Sequence, residues 1–158
     1  MRTPAGVSPE RNSMPGSPAR FFLDTNIFVY TFDETSPVQQ AQARELVELA
    51  LTTRLGVVSH QVVQELLNVA TRKFSVPLSL GDCRAYVEQV LAPLWRVSPT
   101  VALYLRALDV QERSGYSFYD SLIVAAALEA GCRTLYSQDL QHGREFDALR
   151  VNEPFAVS

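Results

Sequence analysis

Four carboxylates stand where a layered α/β fold could gather them: Asp24 in RFFLDTNIFVY, Glu65 in HQVVQELLNV, Asp120 in SFYDSLIVAAALEAG and Asp139 in TLYSQDL. Asp24 and Asp139 follow short apolar runs, and Glu65 and Asp120 lie among residues that otherwise read as buried helix. Acids that converge in one cleft repel one another and need a cation. An oxygen-only set, without a His or Cys cluster beside it, favours the hard ions Mg²⁺ or Mn²⁺. A cation so held polarises a phosphoryl oxygen and lowers the pKa of a bound water, which makes metal-assisted phosphate chemistry the leading idea.

Each acid also has an ordinary structural use. Asp24 can cap the helix that follows it, and Asp120 suits the first turn of a helix through the dipole. Glu65 fits a solvated helix face, and Asp139 an ordinary turn after a strand. Their joint placement at one expected rim favours the functional reading. Asn26 and Ser137, each two residues from an acid, are supporting polar groups able to orient a carboxylate, a water or a phosphate oxygen. His60 and His142 are far apart and in no metal-ligand pattern, and Tyr119 suits the rim.

The elements that must carry these residues alternate. Arg20 to Leu23 reads as a buried strand running into a helix over TNIFVYTFD. Pro37 opens a helix to about Thr53, and Gly56 to Ser59 is the next strand. His60 to Phe74 is amphipathic, with Gln61, Glu65, Asn68 and Arg72 on its polar side. Residues 80–93 form another helix with Ser79 as its cap, Trp95 to Ser98 a third strand, and Pro99 to Arg113 a helix. The apolar helix 119–131 stops at Gly131, and CRTLYS supplies a fourth strand. GREFDALRVNEPF is expected to be a short helix or turn leading to an edge strand around Leu149 to Asn152. Strands alternating with helices imply a mainly parallel sheet covered on both faces. Ligands of such sheets bind beyond the carboxyl ends of the strands, where Asp24 and Asp139 fall.

The 158 residues suit one domain able to fold without staples. The longest apolar stretch, Leu122 to Leu128, is far short of the roughly 18 residues of a membrane helix, so no membrane span is expected. Residues 1–20, rich in Pro, Gly and Ser, read as a disordered N-terminal extension before a domain at 21–158, with Met14 as an alternative start. Cys83 and Cys132 read as free thiols of a cytoplasmic protein. A formal charge of −3 argues against strong non-specific binding to nucleic acid. Leaving out the four candidate ligands brings the sum to +1, so phosphate contact by arginine remains open.

The strings FLDTNIFVY, QELLN, YDSLIVAAALEAGC, LYSQDLQHG and the terminal VNEPF together resemble PIN-domain ribonucleases, and within them the VapC-type toxins of toxin–antitoxin pairs. The resemblance spans Phe21 to Phe155. It implies a three-layer α/β/α sandwich with a mainly parallel central sheet. Asp24, Glu65, Asp120 and Asp139 become the ligands of one or two Mg²⁺ or Mn²⁺ ions, with Asn26 and Ser137 supporting catalysis. It further implies endonucleolytic hydrolysis of RNA to a 5′-phosphate and a 3′-hydroxyl, a homodimer, and a cognate antitoxin protein. Ser137 stands where Thr is frequent, and Glu153 lengthens the usual Asn-Pro-Phe.

Two other readings compete. A strand-ending Asp also opens phosphoaspartyl enzymes, but Asp24-Thr25-Asn26 lacks their second Asp, and Lys73, the sole lysine, is poorly placed. The alternative of a catalytically silent PIN-like module that binds RNA or protein is disfavoured by retention of all four acids.

Overall fold

Short apolar strands that run almost directly into helices repeat along the chain, and the computed structural model, which describes residues 18–155, shows how they stack. Most of the extension expected at 1–20, with Met14, lies outside the described residues, as do 156–158. Strand β1 (Phe21–Leu23) leads through Asp24 into α1 (Thr25–Tyr30), and α2 (Pro37–Thr53) returns to β2 (Gly56–Ser59). Helix α3 (His60–Arg72) follows without a loop. After it come α4 (Leu80–Tyr86), a π-helical segment Val87–Leu91 and the short α5 (Ala92–Leu94), then β3 (Trp95–Val97). Helices α6 (Val101–Ser114) and α7 (Phe118–Glu129) precede β4 (Thr134–Tyr136), β5 (Glu145–Phe146) and β6 (Leu149–Asn152).

The strands form one sheet in the order β3-β2-β1-β4-β6-β5, parallel throughout except where β5 meets β6. With helices on both faces this is a three-layer α/β/α sandwich. Phe22, Leu23, Val57, Val58 and Leu135 are fully buried in the strands, as parallel strands covered on both sides require. Helix α7 is buried continuously from Ser121 to Ala127, which explains a sequence apolar all round. An added Cβ at Gly56 would lie 2.1 Å from Ala50 Cβ. Glycine thus lets β2 lie directly on α2, and the start of α3 is fixed in turn.

One expectation at the C-terminus is corrected. Leu149–Asn152 is not the edge of the sheet, because Glu145–Phe146 is a strand rather than a helix or turn and covers its outer side. Asp147, at φ 55, allows the tight reversal that pairs Phe146 with Leu149, both buried. Aspartate tolerates this left-handed conformation better than most residues. A two-residue strand is too short to display alternation, so the sequence carried little sign of it.

Candidate active site

Register does much of the assembly. In the β1–β4 pairing Leu23 stands beside Tyr136, so the next residues, Asp24 and Ser137, leave the sheet side by side. The ladder runs one bond further, from Asp24 N–H to the Tyr136 carbonyl at 3.0 Å. Ser137 Oγ then donates to Asp24 Oδ2 at 2.8 Å. Two residues on, the same offset brings Asn26 to Asp139, whose carboxylate accepts from Asn26 Nδ2 at 3.0 and 3.1 Å. The Ser137 hydroxyl also accepts from Asp139 N–H at 3.2 Å. Four of the six expected site residues therefore form one hydrogen-bonded group at the carboxyl end of the sheet.

Glu65 joins through a residue the sequence reading passed over. Thr25 is buried at the start of α1 and donates its hydroxyl to Glu65 Oε1 at 2.7 Å. The other carboxylate oxygen accepts from Gln61 Nε2 at 3.1 Å. Gln61 is itself buried, not on a solvated face as its helical stripe suggested. Its position four residues before Glu65 was the available signal, since such residues are neighbours on a helix surface. Asp120 enters from the first turn of α7, whose cap is Ser117: Ser117 Oγ accepts from Asp120 N–H at 3.2 Å. Among the described residues the Asp120 carboxylate itself has no hydrogen-bond donor.

The electrostatics tie the four acids together. Burial pushes Asp24 up from 3.8 to about 6, and repulsion from Asp139 and Glu65 adds to the rise; hydrogen bonds from Ser137 and Thr25 oppose it. Asp139 is also raised, by burial first and then by the charges of Asp120 and Glu65, with Asn26 opposing. Asp24 does cap α1, accepting from Thr25 N–H at 2.7 Å, so its structural and chemical readings coexist.

Among the described residues no three His, Cys, Asp or Glu side chains form a ready-made metal cage. The acids are spaced by bonds to Thr25, Asn26, Ser137 and Gln61, close enough to repel but not to enclose an ion alone. That arrangement still fits Mg²⁺, which is held by one or two carboxylates and keeps several of its waters. An open cleft of about 760 Å³ lies elsewhere and is walled by Phe32, Phe74, Val76 and Leu78 with none of the four acids.

The PIN domain family model matches residues 21–146, most of the chain. The chain belongs to the PIN-domain family. Three solved structures share this PIN fold at low identity. VapC20 of Mycobacterium tuberculosis, a sarcin-ricin loop cleaving toxin, is 21% identical with a TM-score of 0.56, covering 75% of this chain and 89% of its own. A toxin–antitoxin complex from Klebsiella pneumoniae is 14% identical with a TM-score of 0.61, covering 86% and 98%. DNA-bound VapBC from Salmonella typhimurium is 20% identical with a TM-score of 0.59, covering 85% and 98%. No curated protein matches the sequence. No helix of this PIN domain, among the described residues, is long and apolar enough to cross a membrane.

Proposed function

We infer that this PIN domain, taken as residues 21–158, is a divalent-metal-dependent endoribonuclease and the toxin of a cytoplasmic toxin–antitoxin pair. The mutual repulsion of four carboxylates at the end of the parallel sheet carries the reading. Asp24, Glu65, Asp120 and Asp139 would hold Mg²⁺ or Mn²⁺, which supplies a water acidic enough to attack phosphorus and a charge to polarise the phosphoryl oxygen. Ser137 and Thr25 hold Asp24 and Glu65 in place, and Asn26 fixes Asp139. Preset donors of this kind spare the site reorganisation when substrate arrives. RNA fits better than a small ester because the rim is open and the exposed Tyr119 next to Asp120 offers a face for a base.

The test is incubation of the purified chain with a mixed RNA pool in Mg²⁺, Mn²⁺ or EDTA. Cleavage with either metal, and none in EDTA, is the expected result. RNA bound but uncut in both metals would favour the silent binding module instead.

An antitoxin partner is inferred from the kinship with VapBC complexes. A homodimer is supported by α6. Its buried residues Leu103, Ala107 and Val110 pack inward, whereas Val101, Tyr104, Leu105 and Leu108 form an exposed apolar stripe at helical spacing. Soluble monomers rarely leave such a stripe uncovered, and two copies of it about a two-fold axis make a self-complementary pair. Light scattering is expected to give twice the chain mass for wild type and the monomer mass for Leu105→Asp. A monomeric wild type at all concentrations would remove the dimer.

A further inference from the structure

Gln61 is only 4% exposed, and a buried amide costs free energy unless its polar atoms are paired. Its Nε2 reaches two oxygens. One is Glu65 Oε2 at 3.1 Å, a turn along the same helix; the other is the backbone carbonyl of Tyr119 at 3.1 Å, in the first turn of α7. Tyr119 immediately precedes Asp120. Gln61 Oε1, in contrast, is buried without a partner among the described residues. An amide kept inside the protein with its oxygen unpaired is there for its two N–H groups.

The geometry points to Gln61 as a positioning residue that fixes Glu65 relative to the α7 turn carrying Asp120, and thereby sets the affinity of the acidic mouth for a divalent cation. This rests on the metal-nuclease reading above. Thr25 grips Oε1 of Glu65 and Gln61 grips Oε2, so the carboxylate is held at both oxygens. With Gln61 gone, Oε2 is free to turn toward water, and part of the binding energy goes into ordering it again. The second N–H bond converts a local helix contact into a brace between α3 and α7. Groups that orient ligands in this way typically change metal affinity by about 10–100-fold when removed.

A packing role alone would also use the α3–α7 bond, and the two roles separate in a double-mutant cycle. Mn²⁺ binding to the full chain is measured by calorimetry for wild type, Gln61→Met, Glu65→Gln and the double variant, with melting temperatures of the metal-free proteins recorded alongside. Methionine keeps the reach and bulk of Gln61, removes both N–H groups and removes the unpaired oxygen. Gln61→Met is expected to bind Mn²⁺ about tenfold more weakly than wild type while melting within a few degrees of it. In the Glu65→Gln background the same change is expected to alter binding by less than about twofold, because its route to the ion has already been cut. Gln61→Asn, which retains the amide but falls short by one methylene, is expected to weaken binding similarly and serves if Gln61→Met does not fold.

Wild-type affinity in folded Gln61 variants would overturn the proposal. So would an equal loss with and without the Glu65 carboxylate, which would assign Gln61 to packing. A wild type that binds no Mn²⁺ would overturn the metal-nuclease reading and this brace with it, whereas binding by wild type and Gln61→Met alike would overturn the brace alone.

Discussion

Metal-free Asp24→Asn protein is expected to be more stable than wild type at pH 7 and inert toward RNA. Burial, with added repulsion from Asp139 and Glu65, raises the Asp24 carboxyl from 3.8 to about 6. The folded chain thus binds this proton more tightly than the unfolded chain does. The resulting contribution to stability is complete below about pH 3.8 and is lost as the pH rises through about 6. Two pH units are equivalent to about 3 kcal/mol. Asparagine carries no charge to be buried. Its Oδ1 can still accept from Thr25 N–H, and its Nδ2 can donate to Ser137 Oγ, reversing the bond that Asp24 accepts in wild type. The stability difference in EDTA, from urea unfolding, is therefore expected to grow from near zero at pH 4 to about 3 kcal/mol above pH 6. Mn²⁺ is expected to raise the melting temperature of wild type but not of the variant. Parallel pH profiles for the two proteins would show that Asp24 carries no such electrostatic cost.

The layered fold was legible because its elements are short and sharply punctuated. Pro37 and the strand at Gly56–Ser59 marked boundaries that the structure reproduces, and the strand–helix alternation carried the parallel sheet. The β5–β6 reversal was hidden because two residues cannot establish a period. At the candidate site, strand exits pointed to Asp24 and Asp139, while the pairing of Asn26 with Asp139 depended on register that no local pattern encodes. Thr25 and Gln61 were obscured for opposite reasons. Threonine after Asp24 read only as the start of a helix, and a glutamine at helical spacing read as part of a polar face, yet both side chains turn inward to Glu65. A helical period tells which residues share a face, but the neighbours placed against that face decide whether it is wet.

Asp120→Asn is expected to fold like wild type and cleave RNA at least about a hundredfold more slowly, since even outer-shell partners of a metal site are worth about 10–100-fold. The bond that starts α7 uses the backbone N–H of residue 120, and asparagine leaves it intact. No donor among the described residues binds the Asp120 carboxylate, so the substitution removes no protein hydrogen bond. What it removes is a negative charge felt by Asp139 across the mouth of the site. Ser117→Ala tests the separation from the other side. It deletes the helix cap, at a cost of about 1 kcal/mol, but keeps the carboxylate. The pair should cross: Asp120→Asn keeps its melting temperature and loses cleavage, while Ser117→Ala melts earlier and still cleaves in Mn²⁺. If Asp120→Asn lost stability and activity in proportion, Asp120 would be a helix-start residue whose charge has no part in the chemistry.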